Sequence, residues 1–548
     1  MAVHRRRITP AAAIRIALIL AANVAAGWFL WGLAHKPAQA ARPDTAGASE
    51  PASRAGLSTP AALEKLGGGE AAANSGHARL DSIGSRIRSI VEQGRSEASR
   101  LSKGHVSAGE VHVAVHLRDP SSGAEFGIDS ARAMRPASNM KIATTVAALT
   151  LLGPDWEFVT PIEARGTLEA GRLEGDLVLR ASGDPLFDAD GEGSVERLLA
   201  PALDELERSG LRTVSGNLVL DEGSFDNPAP PAGWPGASQR YQEFCALSGG
   251  FSANRGCLTI RVAPTSIGSA AEVAVQPAGF GLERQFSAAT VASGKLSIGF
   301  DARRTGLIVR GNIPRSSPPF VGSCPVPDPV ELFASVLRHE LKARGISIAG
   351  ATLRERNTPR GNLLARIRTP LSSYLVPINQ ESNNAVADQL YLATANTFLS
   401  NASRSGAEAA SLAALERLHV TGDGFRQIDG SGLSDLNRVS ARQLTALIQA
   451  VVCGEPRTAR IYRSSLAVGG VSGTLDGRMR GAKVKGRVSA KTGFIGGTSA
   501  LSGIVKTRDE GELVFSILVN YDEFGGLNSS VWKPMEDEIC ELLAGCEL

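Results

Sequence analysis

The sequence predicts a mixed α/β (α+β) fold whose main domain is split by a β-rich inserted region. Strand and helix patterns occur together over residues 105–164 and again over 326–548. Between them, from 165 to 325, short β-like runs are separated by Gly, Pro, Asp and Asn. A chain of 548 residues has room for two or three domains, and 43% hydrophobic residues with 60 glycines is a globular composition rather than a fibrous one.

Residues 1–40 read as a signal peptide or signal anchor. His4-Arg-Arg-Arg7 is a basic start, Ile16 to Ala34 is uncharged, apolar and near the length that spans a bilayer, and Ala38-Gln-Ala40 offers a small-residue cleavage site. Either form exports the remainder, which places the protein in the periplasm; an uncleaved segment 16–34 would also hold it at the membrane. Residues 41–104 read as a linker rich in Ala, Gly, Ser and Pro at first. It then carries an amphipathic helix over 79–101, where Leu80, Ile83, Ile87, Ile90 and Val91 share one face and expect the main body or a partner.

Val111 to Arg118 alternates and is β-branched, so it predicts a strand, with Gly123 to Ile128 as its hairpin mate. Met134 to Leu152 reads as a turn entering a buried helix. The β-like runs of the insert are Leu173–Arg180, Gly216–Asp221, Leu258–Val262 and Leu307–Gly311. Helical patterns cover Asp328 to Leu341, Leu371 to Thr397 and Gly406 to Leu418. Ala500–Val505 and Leu513–Val519 are strands around a charged turn, and a last helix runs from Ser530 to Leu543.

A net charge of +3 gives no case for nucleic acid. Eight histidines without H-E-x-x-H or paired C-x-x-C motifs give none for a metal or cofactor. Six cysteines in an exported chain can form disulfides in 15 connectivities; Cys245 with Cys257, and Cys540 with Cys453 or Cys546, are the candidates by proximity alone, and the sequence leaves the pairing open.

Three motifs carry chemistry. Ser138 and Lys141 lie three apart, on one face of a helix. A serine hydroxyl needs a base in reach, and a desolvated lysine can serve. A lone S-x-x-K more often marks an ordinary helix entry, and Ser530-Val-Trp-Lys533 fits it too, so company decides. Ser382-Asn-Asn384, within the helical pattern from Tyr374 to Thr397, supplies a second hydroxyl and a carboxamide. Lys491-Thr492-Gly493 stands once in the chain, in a strand-like run where lysine and threonine suit a substrate carboxylate and glycine admits a substrate backbone. Asp429-Gly-Ser-Gly-Leu-Ser434 reads only as a glycine-rich turn.

In this order S-x-x-K, S-x-N and K-T-G are the set of penicillin-binding proteins and serine β-lactamases, and Ser530 falls out because it follows the lysine triplet. With Pro136–Thr145, Ala181–Phe187, Ile428–Ser434, Gly473-Thr-Leu475 and Ala490–Gly493, the chain from 105 to 545 resembles the class C low-molecular-mass penicillin-binding proteins, the DacB-type D-alanyl-D-alanine carboxypeptidase/endopeptidase family. The resemblance implies a serine transpeptidase/β-lactamase-like domain interrupted by inserted domains. It also implies action on peptidoglycan stem peptides ending in D-Ala-D-Ala and covalent inhibition by β-lactams. Ser138 carries over as nucleophile, Lys141 as general base, Ser382 as proton relay, Asn384 as orienting group and Lys491 as electrostatic partner. Thr492, Gly493 and Phe494 would bind substrate, and the backbone N–H groups of Ser138 and Phe494 would form the oxyanion hole.

Two features depart from the family pattern. Phe494 stands where threonine or serine is commoner, and a phenyl ring there narrows the cleft; the 41–104 segment is unusually long. The competing readings are a non-catalytic penicillin-binding scaffold and a β-lactamase on the same core. The long insert and Ser382, where class C β-lactamases use tyrosine, weigh against the β-lactamase. The absence of G-x-S-x-G weighs against a Ser-His-Asp hydrolase.

Overall fold

The computed structural model describes residues 69–187 and 195–547. The readings for 1–40, the apolar run 16–34 and the first part of the linker lie outside the described residues. No helix among those described is long and apolar enough to cross a membrane.

Helix α1 (Gly69–Leu101) includes the amphipathic stretch and begins ahead of it. The hairpin of β1 (His112–Arg118) and β2 (Glu125–Ile128) forms as the alternation predicts. Four strands from the far end of the chain join it: β3 (Ala467–Val468), β4 (Val488–Ile495), β5 (Thr498–Lys506) and β6 (Glu512–Asn520). The antiparallel order is β3-β4-β5-β6-β1-β2, with His112 opposite Asn520. This pairing closes the main domain around everything inserted between its ends.

Period-two alternation sends the side chains of each central strand to two cores. On β6, Leu513, Phe515, Ile517 and Val519 face one core with α1 and α7 (Lys533–Ala544). Val514 and Leu518 face the other, among helices that include α2 (Met140–Leu151), α3 (Ser372–Asn379), α4 (Asn384–Leu399) and α6 (Ala441–Val452). α5 (Arg404–Arg417) lies against α4. The main domain is thus a sheet between two helical layers, and the partner of the amphipathic α1 is the main body itself.

The inserted region holds a seven-stranded sheet and two three-stranded sheets. Its largest sheet reaches past the expected bounds of 165–325. Glu157–Glu169 pairs with Arg172–Arg180 on one side and with Asn362–Pro370 on the other. The helix Pro329–Ala343 buries Val330, Phe333, Val336, Leu337 and Leu341 in the same core, so the flanks assigned to the main domain contribute to the insert. The region also contains a helix at Val195–Arg208 that the strand-rich reading omits. Val195, Leu199, Ala202, Leu203 and Leu206 give it an apolar face, with Pro201 interrupting the pattern that would have signalled it.

None of the pairings left open by the sequence is formed in this structure, where all six cysteines are free. Cys245, Cys257, Cys324 and Cys540 act as small buried apolar groups. Burial pushes the Cys245 thiol up to about 11 and that of Cys257 up to about 12. Ile87 on α1 is fully buried and Ser89 is exposed. Ile87→Ala is expected to cost about 2–5 kcal/mol and Ser89→Ala less than about 0.5 kcal/mol; equal melting temperatures for the two variants would show that α1 does not pack as described.

Candidate active site

Three walls meet at Ser138. The first is the turn Ala137–Asn139 leading into α2. Ala137 is held at φ 47, and the turn leaves Ser138 half-buried at the cleft floor. Lys141, one helical turn on, is completely buried, and its Nζ lies 3.1 Å from Ser138 Oγ.

The second wall is the junction of α3 and α4. The helical reading through Ser382 is corrected here: α3 ends at Asn379, Ser382 takes the left-handed φ of 65, and α4 starts at Asn384. Asn383 caps α4, its side chain accepting from the Val386 N–H at 3.1 Å. A Ser-Asn-Asn run ahead of an apolar stretch is a helix-start signal, but continuous hydrophobic periodicity across the break obscures it. The break lets Ser382 and Asn384 both face the cleft. Asn384 Oδ1 accepts from Lys141 Nζ at 2.7 Å, and its Nδ2 donates to the Phe244 carbonyl at 3.0 Å, which fixes the amide's orientation.

The third wall is the free side of β4. β3 pairs only with Ser489 and Ala490, so among the described residues no strand lies beside Lys491 to Ile495 on the side away from β5. Lys491 is completely buried; its Nζ donates to Ser382 Oγ at 2.9 Å and to the Thr492 carbonyl at 2.9 Å. A Cβ on Gly493 would come within 2.8 Å of the Pro136 carbonyl oxygen, so glycine is what lets this strand lie against the Ser138 turn. Asn139, buried directly after Ser138, joins the two: its Nδ2 donates to the Lys491 carbonyl at 2.9 Å and its Oδ1 accepts from Ser502 Oγ at 2.7 Å. Phe494, 56% exposed, stands at the rim of the cleft.

The structure therefore brings together Ser138, Lys141, Ser382, Asn384, Lys491, Thr492, Gly493 and Phe494. Sequence reasoning missed their supports. The turn at Asp429 does more than terminate an element: the Ser431 carbonyl accepts from Lys141 Nζ at 2.7 Å. Asp429 holds that turn by accepting from the N–H groups of Gly432 and Ser434 at 2.6 and 2.8 Å and from Trp234 Nε1 at 2.6 Å. Trp234 and Phe244 come from the insert and line a cleft of about 640 Å³ with Ser138, Ser382 and Asn384. Only the glycine richness of 430–432 signalled any of this; contacts between positions so far apart leave no local trace.

Burial lowers Lys141 to about 7, against the opposing pull of Asp429 and Asp388. Arg404 holds Asp388 through bonds of 2.5 and 2.6 Å. Burial, then the adjacent Lys141, pushes Lys491 well below the usual lysine range. The like-charge effect thus falls on Lys491, whereas Lys141 is shifted by desolvation. A neutral amine has two N–H donors and one lone pair. With the Asn384 and Ser431 oxygens taking the donors of Lys141, the lone pair is left for the Ser138 hydroxyl proton. A serine so placed can act as a nucleophile toward a carbonyl.

The D-Ala-D-Ala carboxypeptidase 3 (S13) family model matches residues 109–541. The chain belongs to this family. A D-alanyl-D-alanine carboxypeptidase of Actinomadura sp. (strain R39) is 31% identical, the match covering 83% of this chain and 84% of that one. The D-alanyl-D-alanine carboxypeptidase DacB of Haemophilus influenzae is 27% identical over 72% of this chain and 82% of its own length. The crystal structure of penicillin binding protein 4 (dacB) from Haemophilus influenzae superposes with a TM-score of 0.67 at 22% identity, over 80% of this chain and 97% of that one. The S13 peptidase therefore has the serine transpeptidase/β-lactamase-like fold anticipated from its motifs.

Gly432 has φ +83, and a Cβ there would run into the Ala137 carbonyl oxygen beside Ser138. Gly432→Ala is expected to displace the Ser138 turn and slow acylation by a fluorescent penicillin about a hundredfold while circular dichroism stays native. An unchanged rate would mean that the turn does not set the position of Ser138.

Proposed function

We propose that this S13-family carboxypeptidase cleaves the terminal peptide bond of peptidoglycan stem peptides ending in D-Ala-D-Ala through an acyl-enzyme on Ser138. The substrate backbone extends the sheet along the open side of β4. Ser138 Oγ attacks the carbonyl between the two D-alanines as Lys141 Nζ takes its proton. The backbone N–H groups of Ser138 and Phe494 receive the developing oxyanion. Ser382, bonded to Lys491, passes a proton to the leaving amine, and Asn384 fixes Lys141 and the acyl amide. D-Alanine departs, and water hydrolyses the ester to free Ser138. The same steps apply to a D-alanyl cross-link, which gives endopeptidase activity. The observation that carries this reading is the fully buried Lys141 with its Nζ 3.1 Å from Ser138 Oγ, burial lowering its pKa to about 7.

β-Lactams are expected to acylate the same serine; penicillin binding protein 4 (dacB) from Haemophilus influenzae has been crystallised in complex with a β-lactam. The basic start, apolar run and Ala38-Gln-Ala40 support export to the periplasm through residues 1–40, with membrane attachment through 16–34 if the segment stays uncleaved.

Intact mass after incubation with benzylpenicillin, followed by peptide mapping, tests the nucleophile. A stable penicilloyl adduct on Ser138 is expected, and Ser138→Ala is expected to lose both the adduct and D-alanine release. An adduct that persists in the variant would place the nucleophile elsewhere; rapid penicillin loss without an adduct would make the protein a β-lactamase.

A further inference from the structure

The two small sheets of the insert end in a tip that plays no part in the cleft. Cys257–Ala263, Arg284–Val291 and Gly306–Pro314 run out to it, and Glu272–Gln276, Ser297–Arg303 and Phe320–Pro325 run back from it. Three loops make the tip: 264–271, 292–296 and 315–319. The Thr265 N–H donates to Thr290 Oγ1 at 2.8 Å and the Gly268 N–H to the Thr290 carbonyl at 2.9 Å. The Arg315 N–H donates to the Val291 carbonyl at 2.8 Å. Thr290 and Val291 lead directly into the second loop, so all three loops share one end.

The tip combines exposed aliphatic side chains with cations. Ile267 is 60% exposed, Leu296 40%, and Val321, just past the third loop, 60%. The other residues of the loops are small, hydroxyl-bearing or proline, apart from the exposed Lys295 and Arg315, and none is acidic. Neither cation has an ion pair among the described residues. The exposed Arg261, opposite Val321, adds a third positive charge, and Glu272 at the start of its strand is set against them. Over 258–325 seven Arg and Lys stand against three Asp and Glu, a net +4, whereas the whole chain carries +3.

Aliphatic loop tips beside unpaired cations suit a bilayer surface. The aliphatic groups enter the boundary between headgroups and acyl chains while Lys and Arg meet anionic headgroups. A soluble anionic polymer would engage the cations and leave Ile267, Leu296 and Val321 in water. We propose that this tip docks the protein on the surface of an anionic bilayer, independently of residues 16–34. Docking would also fix the height of the cleft. At the base of the sheets the Val326 N–H donates to the Gly256 carbonyl at 2.9 Å, and Cys257 packs with Ala246 and Ala385, the residue after Asn384. The 7 residues of Cys257–Ala263 span about 20 Å from that base to the tip.

The test is Leu296→Trp in the full chain, titrated with vesicles of brominated phosphatidylcholine with or without phosphatidylglycerol. The variant is expected to lose more emission than wild type only where phosphatidylglycerol is present, and high salt is expected to weaken the effect. Adding Lys295→Glu and Arg315→Glu is expected to raise the lipid concentration required by at least about tenfold, at an unchanged melting temperature. Quenching no greater than wild type, equal on both vesicles or indifferent to the charge reversals would overturn the proposal. So would an emission shift with soluble polyphosphate and none with vesicles, which would make the tip a polyanion site.

Discussion

Lys141 and Lys491 are both completely buried around one serine, and burying an unpaired ammonium is expensive. The site meets that constraint by lowering the proton affinity of both amines and giving each a set of oxygen partners. For Lys141 the three oxygens come from α2's own entry turn, from the start of α4 and from the turn after Gly430. Removing any one would leave either a donor without an acceptor or the lone pair without its proton source. The geometry of Ser138, the break at Ser382 and the shape of the Asp429 turn all serve this one amine.

The same constraint explains why the insert belongs to the site rather than beside it. Phe244 orients Asn384, and Trp234 helps hold Asp429, so the inserted chain positions two partners of Lys141 without itself entering the chemistry. Asp388 and Asp429 oppose the desolvation of Lys141, and the bidentate Arg404–Asp388 pair limits how far. The balance leaves a lysine near neutrality that exchanges its proton easily at physiological pH, which suits a general base.

Much of this was legible in the sequence because Ser138 with Lys141 and the Lys-Thr-Gly strand are each short-range patterns. The strands Val111–Arg118, Ala500–Val505 and Leu513–Val519 were equally plain, since alternation tracks two-sided burial. Ser382 was placed in a helix because hydrophobic periodicity runs on across the break, and a left-handed serine has no compositional mark. The helix at Val195–Arg208 was hidden by Pro201 and its polar surroundings. The cysteine pairing stayed open because nearness in sequence says nothing of whether two thiols face each other, and here the buried ones pack as apolar groups. Asn139, Trp234 and Phe244 were invisible for another reason: their partners lie hundreds of positions away or on another domain, and only the fold brings them together.

The claim on which all this turns is that Lys141 works as a neutral base, and the pH dependence of acylation tests it most directly. The second-order rate of Ser138 acylation by benzylpenicillin, followed from about pH 5 to about pH 10, should rise with a midpoint near 7, because the lone pair becomes available as the ammonium loses its proton. Lys141→Arg should be slow at every pH, since a guanidinium stays charged. A wild-type rate that is flat through this range, or that falls as the pH passes 7, would contradict the account.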